Sequence, residues 1–223
     1  MLTRLAPDLA VAETQIRYPG GFRLPARMTA ARLPDGGVVL ISPIEIDGDL
    51  QREIEALGPV RYLVGPNLHH HLFLRPARER FPAAALVGAP GLPSKRENLP
   101  FDHELDGAPP WGGGLVPHLV RGQPRMNEVV FHHLSSGTLV VCDLVFNMVS
   151  YEGAATGITL RLMGTRGRLA MSRLVRFLIK DRAAFDESID QILALDFDRV
   201  IMAHGDVVDT GGRAALTRAL GRA

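Results

Sequence analysis

Short apolar runs of the buried-strand type recur along this 223-residue chain, and each stops at a turn or at a polar residue. Residues 38–42 read VVLIS, 61–64 RYLV, 138–142 TLVVC and 198–202 DRVIM. Runs this short, set among Gly and Pro, predict strands rather than long helices. With 23 Gly and 16 Pro, the chain carries too many turns for a helical bundle. Strands mixed with short helices in packed layers remain as the expected class.

Local signals place the elements. Residues 27–33 and 38–42 flank Pro34-Asp35-Gly36-Gly37, a strong turn, and predict a hairpin. A helix follows, capped by Asp47 or Asp49, with Leu50, Ile54 and Leu57 on one face and Gly58 at its end. The strand at 61–64 stops at Gly65-Pro66-Asn67, and a short helix is expected over 76–81 before another strand at 84–87. Residues 128–133 (EVVFHH) and 138–142 predict a second hairpin across Ser135-Ser136-Gly137. Leu174, Phe177 and Leu178, then Phe185, Ile189 and Ile192, recur at helical spacing. A late strand at 198–202 and a helix at about 212–220 complete the order, while the Gly/Pro-rich stretch 88–125 yields no assignment. No repeat or polar linker divides the chain, so residues 1–223 are expected to form a single domain.

Composition narrows the function. Lys and Arg number 25 against 24 Asp and Glu, which removes the electrostatic case for a nucleic-acid binder or a polybasic membrane protein. One cysteine excludes a disulfide framework and any multi-cysteine metal site. Cys142 sits in an apolar run and reads as an inert buried thiol. No apolar run approaches the roughly 18 residues of a membrane helix. The N-terminus is interrupted by Pro7, Asp8 and Glu13 and lacks the core of a signal peptide. A cytoplasmic setting and a small-molecule substrate are the expectations, with no nucleic-acid or membrane partner and an open oligomeric state.

Chemistry concentrates at strand ends, where α/β proteins build sites. His69, His70 and His71 follow RYLV, Asp143 follows TLVVC, and His204 and Asp206 follow DRVIM. Imidazole and carboxylate donors suit zinc, manganese or iron. Each position also has an ordinary reading: three histidines can be a solvated loop, and an Asp can hold a turn. His132 and His133 fall on opposite faces of one strand, so at most one can face a site. The basic stretch 161–176 reads first as a solvated helix face and second as an anion-binding rim. Serine-hydrolase and phosphate-loop motifs are missing from the sequence.

The segments PNLHHHLFL, EVVFHHLSSGTLVVCDLVFN and DFDRVIMAHGD, in that order and spacing, resemble the metallo-β-lactamase-fold superfamily. That family opens with a hairpin, then a strand leading into an H-x-H-x-D-H loop, then a hairpin ending in a bridging aspartate, then a strand running into a late histidine. The resemblance spans roughly residues 27–210 and implies an αββα sandwich of two mixed sheets flanked by helices.

The metal motif departs from the family pattern. In the preferred register His71 falls on the last histidine of the loop, His70 on the aspartate, and Pro66 and Leu68 on the first two histidines. The alternative register sets Asn67 and His69 on those histidines but loses the later pair. His118 lies near the expected third-motif histidine in an unmatched context, VPHLV. The preferred register implies one remaining site of His70, His71, Asp143 and His204. His69, Asp206 and His133 are outer-shell or alternative ligands. The resemblance implies metal-dependent hydrolysis with one divalent ion, zinc first, manganese or iron next. The competing expectation is a non-catalytic binding or scaffolding protein with a structural metal or none. Four protein ligands would leave a tetrahedral ion without a vacancy, which weighs against high activity.

Overall fold

A computed structural model of the chain describes residues 1–222. The first sheet is built in sequence order: β1 (Thr3–Ala6), β2 (Leu9–Arg17), β3 (Arg23–Arg32), β4 (Val38–Ile41), β5 (Val60–Gly65), β6 (Ala85–Gly88) and β7 (His103–Glu104). Its first four strands pair antiparallel and β4 to β7 pair parallel, so the sheet is mixed. The parallel steps need crossovers. The crossovers carry α1 (Gly48–Glu55), α2 (Leu74–Arg80) and α3 (Leu92–Lys95). Asp47 caps α1 by accepting from the Leu50 amide at 2.8 Å, which satisfies one free donor of the first turn.

The second sheet has the order β13 (Arg199–Ile201), β10 (Thr138–Val140), β9 (Val129–His133), β8 (Leu115–Leu119). Only β10 and β13 run parallel in it. A small ladder of β11 (Phe146–Asn147) and β12 (Leu169–Ala170) lies beyond it, and α4 (Ala154–Met163), α5 (Arg173–Phe177), α6 (Arg182–Leu193) and α7 (Gly212–Leu220) complete the chain.

Three apolar layers bind these parts. Val39, Ile41, Val64 and Val87 of the first sheet meet Val129, Phe131, Val140 and Ile201 of the second. Val38, Leu40, Leu63 and Leu86 face the other way, onto Leu50, Ile54 and Leu74 of α1 and α2. Val130, Leu139 and Val200 face Leu160, Phe185, Ile189 and Leu216 of the later helices. The order is helix, sheet, sheet, helix. Alternate residues of VVLI therefore enter two different cores, and all four are buried. A strand covered on both faces reads as a continuous apolar run for that reason.

The hairpins expected at 27–42 and 128–142 are present. The structure adds what the sequence did not reveal: the β1–β2 hairpin, α4, and the elements α3, β7 and β8 within 88–125. The strands β4 and β5 are parallel to each other, as are β10 and β13. Their C-terminal ends open onto one edge of the sandwich, and the loops that leave them carry the candidate ligands.

Candidate metal centre

Four strand exits meet at this edge: Ser42 after β4, the turn at 66–73 after β5, Asp143 after β10 and His204 after β13. One donor atom from each of His70, Asp143 and His204 lies within 4.8 Å of the other two. His70 Nε2 is 3.2 Å from Asp143 Oδ2, and His204 Nε2 is 3.3 Å from Asp143 Oδ1. One carboxylate is thus faced by two imidazoles whose rings are 5.2 Å apart.

The far nitrogen of each ring is held by a second partner. His204 Nδ1 lies 2.7 Å from the Pro25 carbonyl oxygen. A carbonyl only accepts, so Nδ1 carries the proton. In the neutral ring, Nε2 then turns a lone pair toward Asp143. Two electron-rich atoms at 3.3 Å are repulsive unless an imidazolium proton or a cation lies between them. His70 Nδ1 is 2.6 Å from Ser42 Oγ. This is the usual outer support of metal-binding histidines, a partner on the remote nitrogen that fixes ring orientation. Phe146 stacks on the His204 ring at 5.1 Å and fixes its plane. The donor set and its supports fit a divalent ion.

Asn67 organises the turn and ties it to Asp143. Fully buried, its Oδ1 accepts from the His69 and His70 amides at 2.8 and 2.9 Å, and its Nδ2 donates to Asp143 Oδ2 at 2.8 Å. The same Nδ2 lies 3.4 Å from Glu128 Oε2. Glu128 in turn accepts from the Cys142 and Asp143 amides, each at 2.8 Å, clamping the segment that presents Asp143. Burial, together with the Asp143 charge, pushes the Glu128 carboxyl up to about 7. Burial also opposes ionisation of Asp143, yet the His70 charge and hydrogen bonds from His204 and His70 outweigh it and hold the carboxyl well below the ordinary range. Glu128 and Ser42 carry only weak marks of a functional role in the sequence. The available signals were an acidic residue opening the apolar run EVVF and a serine ending VVLIS.

Gly205 lets β11 approach the His204 exit. Its φ is +96°, and a Cβ there would stand 2.1 Å from the Asn147 carbonyl oxygen. Only glycine fits that geometry.

Of the four residues in the expected ligand set, the structure gathers His70, Asp143 and His204. His71 stands apart. Residues 69–74 wind through a tight turn, and only His70 of the three consecutive histidines joins the donor group. The His71 Nδ1 is buried without a hydrogen-bond partner, and burial, Arg96 and Lys95 all lower its pKa. His69 is exposed, its Nε2 donating to the Arg125 carbonyl at 3.1 Å. His133 is buried in β9, with Nδ1 2.7 Å from Ser136 Oγ, and His132 bonds the Asp196 carbonyl on the opposite face. Asp206 is exposed in a separate polar cleft with Glu13 and Arg27. His118 lies in β8, away from the cluster, its Nε2 buried without a partner. Pro66 and Leu68 offer no donor side chain.

The cluster sits in the wall of a cavity of about 460 Å³ lined mostly by apolar side chains, among them Ile16, Leu24, Ile44, Phe73, Met126 and Leu178. This is a normal size for a small-molecule site. Tyr18 also lines the cavity, and burial, aided by the Asp143 charge, raises its hydroxyl pKa and keeps it a donor.

No protein-family model matches the sequence, and no curated protein is detectably similar to it. Solved structures do match. A metallo-β-lactamase from Pontibacter korlensis is 15% identical, with a TM-score of 0.69, over 100% of this chain and 97% of its own. One from Erythrobacter litoralis is 13% identical, with a TM-score of 0.64, over 99% of this chain and 90% of its own. One from Pseudomonas aeruginosa, solved in a mono-zinc form, is 15% identical, with a TM-score of 0.63, over 100% of this chain and 93% of its own.

Proposed function

We propose, on the premise that this chain has the metallo-β-lactamase fold, that it is a hydrolase using one divalent metal ion, zinc in the first instance. His70, Asp143 and His204 would hold the ion. The observation that carries the reading is the pair of imidazole Nε2 atoms turned onto one buried carboxylate, with the His204 Nδ1 proton already committed to Pro25. An ion bound there supplies a Lewis acid for a carbonyl or phosphoryl oxygen and an acidified water.

Three protein ligands rather than four leave a tetrahedral ion one position for water or substrate. On this three-ligand reading the coordination argument against catalysis does not apply. The remaining chemistry belongs to the chain. Asp143, the one carboxylate of the set, would balance part of the ion's charge. Ser42 and Pro25 keep the two rings in place. Tyr18, a neutral phenol, can donate to a developing oxyanion. The apolar cavity walls exclude water and favour a substrate with a hydrophobic body and one hydrolysable ester, lactone or phosphoester group.

The test is turnover of a panel of such compounds by metal-stripped protein, zinc-reloaded protein and a His204→Ala variant. Turnover by reloaded wild type alone is expected. Wild-type inactivity across the panel at full metal occupancy would contradict the catalytic reading.

A further inference from the structure

Near-neutral overall charge conceals a strong local segregation. Residues 153–180 carry Arg161, Arg166, Arg168, Arg173, Arg176 and Lys180 and no Asp or Glu. All six cations are exposed. None of them forms a salt bridge among the described residues, whereas other arginines, such as Arg23, Arg61 and Arg121, do. The chain as a whole is only +1, so the rest of it is net acidic.

The same segment exposes its largest apolar side chains. Ile158 and Leu162 stand one turn apart on α4, 62% and 67% exposed, and Leu174 and Phe177 on α5 are 60% and 69% exposed. The two helices form one surface: Arg173 Nη1 donates to the Leu162 carbonyl at 3.2 Å, and its stem lies over Gly164. Lys180 Nζ sits 4.8 Å from the centre of the Phe177 ring, so cation and apolar body share one face. Leu72, 62% exposed, extends the apolar surface, and Leu72 and Leu174 also line the mouth of the cavity.

We propose that the α4–α5 face is a docking surface for an anionic lipid bilayer, with Ile158, Leu162, Leu174 and Phe177 entering the acyl boundary and the six cations meeting the headgroups. Large exposed apolar side chains in one segment with cations that make no salt bridge are what an interfacial surface presents to such a bilayer. Arg173 and Lys180 lie against the apolar face, and Arg166 packs on Tyr151. Charge argues against a second copy of this chain as the occupant. A two-fold contact would set the same cations against each other, the nearest carboxylates in sequence being the flanking Glu152, already paired with Arg23, and Asp181. It also argues for lipid over nucleic acid, because a phosphate backbone satisfies the arginines but leaves Leu162, Leu174 and Phe177 without an apolar partner. The inference is independent of whether a metal is bound.

The experiment is flotation of the full chain with neutral phosphatidylcholine vesicles and with vesicles containing phosphatidylglycerol, at low and high salt. Two surface variants, Leu162→Ser/Phe177→Ser and Arg168→Gln/Arg176→Gln, are run beside it, with circular dichroism to confirm folding. Binding to the anionic vesicles alone, weakened by salt, is expected. The arginine variant should partition roughly 25-fold less, from about fivefold per basic residue at an anionic surface. The apolar variant should also lose binding. Absence of binding by the folded wild type would overturn the proposal. So would equal binding by both folded variants, preferential binding of duplex DNA, or self-association in light scattering that both variants abolish.

Discussion

Asn67→Ala is the perturbation that most directly probes how the site is held. Asn67 is fully buried, and its side chain makes three good hydrogen bonds. Two are from the His69 and His70 amides, each worth about 1 kcal/mol in a folded protein. The third, to the ionised Asp143, falls in the range of about 1.5–3 kcal/mol for charged partners. The 3.4 Å approach to Glu128 is too long to count. The sum is about 4 kcal/mol. For a chain of this size each kcal/mol lowers Tm by about 2–4 °C, so the variant should melt roughly 8–16 °C below wild type. Urea denaturation of metal-stripped protein gives the free energy, and a thermal melt gives Tm. A loss below about 1 kcal/mol, the ordinary scale of a loop substitution, would refute the claim that Asn67 ties the histidine turn to Asp143.

Three further outcomes are expected. Ser42→Ala leaves His70 Nδ1 without its 2.6 Å partner and should weaken zinc binding about 10–100-fold in a competitive titration, with the fold retained. Gly205→Ala forces a Cβ onto the Asn147 carbonyl at a φ of +96° and should cost about 3 kcal/mol or more in urea denaturation. Burial lowers the pKa of His118 and His133 in the fold, so the unfolded chain binds more protons below about pH 6.5. Stability should therefore fall as pH drops below that value, and His118→Gln should show a shallower acid slope in denaturation series between neutral and mildly acidic pH.

Legibility followed burial. Strands covered on both faces, such as VVLI and the apolar core of TLVVC, stood out because their whole length is apolar. β1 did not, because it is the edge strand and TRLA is exposed or half-buried and partly polar. Nor did β2, because its far end runs past β1 and alternates exposed and half-buried residues. Helix α4 escaped notice because it shows solvent its apolar side chains, Ile158 and Leu162, which blurs the periodicity. In the site, His70, Asp143 and His204 were visible as donors at strand ends. Their supports were not. Asn67, Ser42 and Glu128 act through single side-chain bonds to atoms that only the tertiary fold brings near. The separation of His71 from His70 depends on the winding of one turn, which a run of three histidines does not encode.

The central claim is that His70, Asp143 and His204 together bind one divalent ion. Calorimetric titration of zinc into metal-stripped protein, with elemental analysis of the reloaded product, measures it. One tightly bound ion per chain is predicted, lost in both His204→Ala and Asp143→Ala while the variants keep their circular dichroism spectrum. No tight binding by wild type, two ions per chain, or unchanged binding in either folded variant would contradict it.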